Sequence, residues 1–162
     1  MEKALGTIKK YMNKVLAICC SALLIFMTCL VLWQVFTRYI LGSPAAFTEE
    51  LVKYALMWSG FIGAAYAFST RDHMALTLVK SKLNGTPYKV LSLIIDVLIL
   101  VLAFLVIIIG GVKLAVSAKA EFSALLGISR ALVYSVAPIS GILIIIAQVI
   151  NIYEDITGIK VE

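Results

Sequence analysis

Apolar residues come in four long runs, separated by short polar segments. The runs cover about residues 15–37, 49–69, 90–112 and 131–151. Each holds roughly 20 residues, which as an α-helix spans the ~30 Å hydrocarbon core of a bilayer. Because a backbone in lipid must satisfy its own hydrogen bonds, each run is predicted to be one transmembrane helix. The predicted fold class is all-α, an integral membrane protein with four helices in a single membrane domain over residues 1–162.

Two connecting segments mix apolar residues and lysines. In residues 2–14, Leu5, Ile8 and Met12 recur at helical spacing against lysines, and residues 74–83 are similar. Each segment is either an amphipathic helix lying on the cytoplasmic face or a plain basic flank. The sequence leaves both alternatives open.

Composition supports the membrane assignment. Hydrophobic residues make up 62% of the chain, charged residues make up 14%, and the mean hydropathy is +1.06, whereas soluble domains carry about 25% charged residues. The net charge is +5, but the basic residues flank the apolar runs. They therefore predict contact with membrane lipids rather than with nucleic acid.

Lysines and arginines in the short loops predict the orientation. The N-terminal segment and the second loop hold four each and the C-terminus holds one, which gives nine. The first loop holds one and the third holds three, which gives four. By the positive-inside rule, both termini are predicted to lie in the cytoplasm.

Few polar residues lie inside the predicted helices. Asp96 lies about 10 Å into the third helix by helical rise, and Gln148 lies near the cytoplasmic end of the fourth. We expect Asp96 to be a structural group paired with Gln148, a lysine or a partner subunit, with a proton or ion ligand as the alternative. Gln34 is predicted to make a helix–helix hydrogen bond.

Several kinds of site are missing from the sequence. No carboxylate falls at the bilayer centre, no predicted helix is interrupted at mid-depth, and no inverted repeat is visible, although secondary transporters commonly show these features. The sequence also lacks a phosphate loop, a nucleophile elbow and H-E-x-x-H. Its three cysteines form no C-x-x-C or Cys/His cluster. The sequence therefore predicts no enzyme activity, no cofactor and no metal site. It also does not predict that the chain carries a substrate by itself.

The second predicted helix is charged at its start. Thr48 is placed to cap it, and Glu49 and Glu50 then lie in the first turn, where the helix dipole favours negative charge. Lys53 lies four residues after Glu49, a favourable spacing for an ion pair. The sequence permits a self-neutralised helix start or a contact with a partner.

Small residues form a stripe along the same helix. Steps of three or four residues from Glu49 reach Lys53, Leu56, Gly60, Ala64, Ala67 and Arg71, and Gly63 lies beside them. Small side chains let another helix approach closely. This small-residue stripe is therefore predicted to be a partner interface.

The same residues resemble the small (Q-type) membrane subunit of tripartite ATP-independent periplasmic (TRAP) transporters. The matches to the signature of that family are Arg38, Glu49, Glu50, Trp58, Gly60, Gly63 and His73. The segment Tyr134–Gly141, "YSVAPISG", looks like the last helix of the family. Phe47 departs from the usual Trp, and Thr77 stands where Asp is expected. Residue roles at those two positions therefore do not transfer.

The resemblance implies a bacterial inner-membrane complex. A large membrane subunit would carry the substrate and sodium sites, and a periplasmic binding protein would capture an organic acid such as a C4-dicarboxylate or sialic acid. The small subunit would dock on the static scaffold of the large subunit and help to receive the binding protein. The interface residues expected from the stripe and the resemblance are Arg38, Glu49, Glu50, Lys53, Gly60, Gly63, Ala64, Ala67, Arg71 and His73.

Other functions are compatible with four membrane helices. A proton-coupled multidrug exporter working as a homodimer needs a membrane-embedded glutamate, and Glu49 and Glu50 lie too near the interface. A haem or quinone anchor is a second alternative, although His73 is the only histidine. A membrane scaffold without a transport role is a third, distinguished only by the identity of its partner.

Overall fold

The computed structural model describes residues 2–43, 45–71 and 86–157. The first two helices are α1, Glu2–Tyr39, and α2, Ala46–Thr70. A third spanning segment and a fourth follow. Apart from an isolated bridge between Phe122 and Ser129, the regular structure of the described ranges is helical.

The third spanning segment changes its helical type along its length. It begins as α3, Thr86–Leu102, and widens into a π-helix at Ala103–Gly110. It then continues as α4, Gly111–Ser117, and ends in a 3₁₀ turn at Ala118–Ala120. The fourth segment consists of α5, Arg130–Tyr134, and α6, Val136–Thr157.

Four helical segments are long and apolar enough to cross a membrane, which confirms the predicted class. They are Leu5–Tyr39, Ala46–Thr70, Val90–Ala120 and Arg130–Thr157, called here the first to fourth spans. Each includes its predicted run and extends beyond it, because polar residues at the ends continue the helical hydrogen bonding.

The N-terminal segment is helical, but it is not a separate surface helix. Residues 2–14 belong to α1, which runs unbroken for 38 residues, about 57 Å at ~1.5 Å per residue. No proline or turn interrupts it. Of the two alternatives left open for residues 2–14, neither a separate surface helix nor a plain flank is found, because the segment continues the first helix. Residues 74–83 lie outside the described residues.

The fourth span is the central helix. The first span packs on the second, the second packs on the fourth, and the fourth packs on the third. Half of the apolar window of the fourth span is buried, against 6% for the first and 11% for the second and third. The outer faces of the first and third spans therefore remain available to lipid or to other proteins.

Pro138 interrupts the fourth span, which the sequence predicts as one continuous helix at 131–151. A proline has no N–H, and its ring collides with the carbonyl four residues earlier, here that of Tyr134. The helix accordingly breaks at Ser135 and restarts at Val136. The break lies near one end of the span. This agrees with the expectation that no helix is interrupted at mid-depth.

Two glycines bring the third and fourth spans together. A Cβ on Gly141 would lie 2.7 Å from Ile108 Cγ1, and a Cβ on Gly111 would lie 3.0 Å from both Ala137 Cβ and Pro138 Cδ. Only a residue without a side chain fits these contacts. The closest helix contact of this kind is thus internal to the chain, between its last two spans.

Candidate functional site: the two polar ends of the second helix

Side chains from all four spans meet where α2 ends. We call this group the polar cluster. Its ion pairs and hydrogen bonds connect Lys9, Asn13, Ser69, Arg71, Ser92, Asp96, Asn151, Glu154 and Asp155. The cluster lies at the end of the bundle where α1 and α3 begin and α2 and α6 end.

Arg71 is the centre of the polar cluster. Its Nη1 donates to Asp155 Oδ1 at 2.7 Å, and its Nη2 lies 3.4 Å from Asp96 Oδ2. Nη2 also donates to the backbone carbonyl of Asn151. Burial opposes the charge of Arg71, but the bond to Asp155 raises the pKa of the guanidinium above its ordinary value. One cation therefore links the second span to the third and fourth.

The backbone of Arg71 is strained in the position that reaches these partners. Arg71 caps α2 in the left-handed conformation, with φ 58° and ψ 21°. A residue with a side chain in this region costs on the order of 1–3 kcal/mol. The ion pairs to Asp155 and Asp96 offset that cost.

Lys9 and Asn151 connect the remaining helices. Lys9 Nζ lies 2.9 Å from both carboxylate oxygens of Glu154 and donates to Asn151 Oδ1 at 3.1 Å. Asn151 is fully buried, and its Nδ2 donates to the Phe68 carbonyl at 3.1 Å. Ser69 of α2 donates to Asn13 of α1. These bonds join the first, second and fourth spans.

Asp96 has a different partner from those expected. It is 1% exposed and pairs with Arg71, whereas Gln148 Oε1 is buried with no hydrogen-bond partner among the described residues. The predicted Asp96–Gln148 pair is therefore wrong, because Arg71 turns back over the bundle and reaches the carboxylate. The sequence held a signal for the observed Arg71–Asp96 pair, because both residues are predicted to lie on the cytoplasmic side of the membrane.

The opposite end of α2 carries the two adjacent glutamates. Lys53 Nζ pairs with Glu49 Oε1 at 2.8 Å, as the spacing predicts, and both side chains are largely exposed. Tyr54 donates to Glu50 Oε1 at 2.6 Å. The predicted Thr48 cap is wrong, because the helix starts at Ala46 and the Thr48 hydroxyl donates back to the Ala45 carbonyl.

A cleft opens beside these glutamates. We call it the Glu50 cleft; its volume is about 400 Å³, and it is lined by Ala46, Glu49, Glu50, Lys53, Tyr54, Ala124, Leu125, Arg130, Val133 and Tyr134. Val133 lines the cleft on the side opposite α2. Trp58 of α2 holds it in place, since Trp58 Nε1 donates a 3.1 Å hydrogen bond to the Val133 carbonyl. The sequence identifies Trp58 as part of the family signature but does not predict this bond.

The small-residue stripe borders the packing face of α2 without forming its centre. No atom lies within 4 Å of a Cβ built on Gly60 or Gly63. Ala64 and Ala67 are half-buried, while Ala65 faces the interior. The glycine part of the stripe is therefore open to an outside molecule.

The remaining predicted residues do not join either site. Arg38 is exposed, and the hydrogen bonds of the described chain include none from the Gln34 side chain to another helix. His73 lies outside the described residues. Within the ranges that the structure describes, no group of three or more His, Cys, Asp or Glu side chains is placed to hold a metal ion.

The fold and the two polar ends define a four-helix integral membrane protein. Residues 27–158 match the family described as tripartite ATP-independent periplasmic transporters, DctQ component. The chain therefore belongs to this family, the small permease subunits of TRAP transporters. This assignment takes the place of the exporter and anchor alternatives, and it indicates a multi-pass protein of the inner membrane.

Relatives agree with the family. A predicted TRAP transporter small permease protein of Haemophilus influenzae is 31% identical over 83% of each chain. The sialic acid TRAP transporter small permease protein SiaQ of Vibrio cholerae is 26% identical over 93% of this chain and 86% of that one. The sialic acid TRAP transporter permease protein SiaT of Haemophilus influenzae is 26% identical over 88% of this chain, but the match covers 24% of SiaT.

Proposed function

We propose that this chain is the small accessory subunit of a sodium-coupled, binding-protein-dependent TRAP transporter for an organic acid, of the C4-dicarboxylate or sialic-acid type. One observation supports the accessory role most directly. The buried charges of the polar cluster pair inside the chain, with Asp96 and Asp155 held by Arg71. A carboxylate engaged in this way serves helix packing rather than substrate transport.

The docking role follows from the two glycines of the small-residue stripe, Gly60 and Gly63, which have open space beside them in the described part of the chain. We propose that the stripe docks on the large membrane subunit and that this contact stabilises the scaffold of the transporter. SiaT supports a lasting association, because it contains a region like this chain within a protein about four times as long as the matched part. The interface assigned to the docked chain is Arg38, Glu49, Glu50, Lys53, Gly60, Gly63, Ala64, Ala67, Arg71 and His73.

The orientation belongs to the same proposal. Both termini lie in the cytoplasm, and the Glu50 cleft opens on the periplasmic side, where the binding protein arrives. The excess of lysine and arginine near the termini and the second loop supports this arrangement. The sialic acid names of SiaQ and SiaT favour that substrate class for the whole transporter.

Purification from native membranes in mild detergent tests the proposal. The expected result is a stoichiometric complex with one large membrane protein, identified by mass spectrometry. Recovery of a homodimer with no large partner would overturn the accessory role.

A matched pair of substitutions tests the stripe. Gly60 and Gly110 are both exposed, and neither has an atom within 4 Å of a built Cβ. Gly60→Leu is expected to lose the large subunit because the added side chain holds the two helices apart, while Gly110→Leu retains it. Equal retention of the partner by both variants would remove the stripe from the interface.

A further inference from the structure

The Glu50 cleft contains one negative charge with no opposite charge bonded to it. Of the two cations in its lining, Lys53 pairs with Glu49 at 2.8 Å. Arg130 attracts Glu50 across the cleft, but its hydrogen bond goes to Glu121 at 3.0 Å. Glu50 is the carboxylate left over.

Neutral groups surround this carboxylate. Tyr54 donates to Oε1 at 2.6 Å, and the Ser123 hydroxyl and the Leu125 backbone N–H also donate toward the carboxylate. Oε2 is buried and makes no hydrogen bond of ordinary geometry within the described part of the chain. Glu50 as a whole is half-buried. Neutral donors stabilise its carboxylate but do not cancel its charge, and the charge loses more of its hydration once a partner covers the cleft.

The cleft has room for a cationic side chain from another protein. Its volume is about 400 Å³, within the range of about 300–1,000 Å³ that holds whole small ligands. The exposed apolar side chain of Leu125 lines the cleft beside Glu50. Apolar groups around a charged contact exclude water and strengthen it.

We propose that Glu50 receives a basic side chain, an arginine or a lysine, from the large membrane subunit. This inference rests on the proposed function. The cleft is continuous with the small-residue stripe, since Glu49 and Lys53 belong to both. A protein docked along the stripe therefore reaches the cleft, and a lasting partner provides the constant pairing that a buried carboxylate requires.

The test compares Glu50→Gln with the charge-removing control Lys113→Gln in the purified complex. Glutamine keeps the shape of the side chain and an acceptor for Tyr54, so the change removes the charge. We expect Glu50→Gln to speed dissociation of the large subunit about 30-fold or more, the size of a lost buried charge pair. Lys113→Gln removes an exposed charge on α4, outside both the cleft lining and the assigned interface, and we expect less than a threefold change.

The isolated chain provides the second measurement. Without the large subunit, Glu50→Gln is expected to leave the melting temperature in detergent unchanged, because glutamine keeps an acceptor for Tyr54 and Glu50 makes no ion pair among the described residues. A lower melting temperature with normal dissociation would show that Glu50 is satisfied internally, which overturns the inference.

Two other outcomes are distinguishable. Normal assembly of Glu50→Gln combined with weaker binding of the periplasmic protein would assign the cleft to that protein and overturn the inference. A wild-type chain that never binds a large subunit would instead contradict the proposed function itself.

Discussion

Arg71 shows how one side chain joins three helices. Its guanidinium reaches Asp155, Asp96 and a backbone carbonyl from a left-handed backbone. A lysine has a single nitrogen and no fixed fork of donors, so it does not replace these bonds together. The position therefore depends on arginine itself rather than on positive charge alone.

Substitution of Arg71 tests this dependence. Because Asp96 and Asp155 would lose their counter-charge, Arg71→Ala is expected to lower the free energy of unfolding by about 3–5 kcal/mol, and Arg71→Lys by an intermediate amount. Denaturant unfolding of the isolated chain in detergent measures both. The control is Lys10→Ala, an exposed cation on α1; equal losses for Arg71→Ala and Lys10→Ala would contradict the central role.

Two ion pairs of different burial give a second prediction at the residue scale. Lys9 and Glu154 have side-chain exposures of 14% and 10%, whereas Lys53 and Glu49 have 68% and 59%. A double-mutant cycle with Lys9→Met and Glu154→Gln is expected to give a coupling energy of about 1–3 kcal/mol. The cycle with Lys53→Met and Glu49→Gln is expected to give about 0.2–1 kcal/mol. Equal coupling energies would show that burial does not decide the strength.

At the scale of the helices, glycine has two different uses. Gly141 and Gly111 make the contact between the third and fourth spans, while Gly60 and Gly63 have no close neighbour in the chain. A glycine stripe in the sequence does not distinguish an internal contact from an external one. The difference depends on which way each helix is rotated.

A pair of alanine substitutions separates these uses. Gly141→Ala places a Cβ 2.7 Å from Ile108 Cγ1, and is expected to lower the free energy of unfolding by about 1–3 kcal/mol. Gly60→Ala meets no atom and gains helix propensity, so the free energy of unfolding is expected to stay equal or rise by up to about 1 kcal/mol. Unfolding in detergent measures both, and the reverse order would contradict the packing described.

For the whole molecule, the orientation in the membrane is the open prediction. Single cysteines at Ser43 and Thr157, in a variant with the three native cysteines replaced, report the two ends of the bundle. In spheroplasts, where only the periplasmic face of the inner membrane is accessible, a membrane-impermeant thiol reagent is expected to label Ser43→Cys. It is expected to label Thr157→Cys only after the membrane is permeabilised. The opposite pattern would reverse the assigned orientation.

Several features were readable from residues close together in the chain. The four spans follow from the length and apolarity of each run, and the Glu49–Lys53 pair follows from a spacing of four on one helix. The Pro138 break was not predicted, although proline chemistry is local, because the run around it is continuously apolar. Contacts between residues distant in sequence were harder to predict. Asp96 was expected to pair with Gln148, a lysine or a partner subunit, while the structure pairs it with Arg71.

The sequence by itself determined the class of the protein, the number of its spans and its family. These depend on hydrophobic length and on short motifs, which are properties of each segment alone. The tertiary structure decided which helix lies at the centre and that Arg71 holds Asp96 and Asp155. It also decided that Glu50, beside Tyr54 and Ser123, makes no ion pair among the described residues. Those outcomes depend on the rotation and depth of each helix against the others, which only packing fixes.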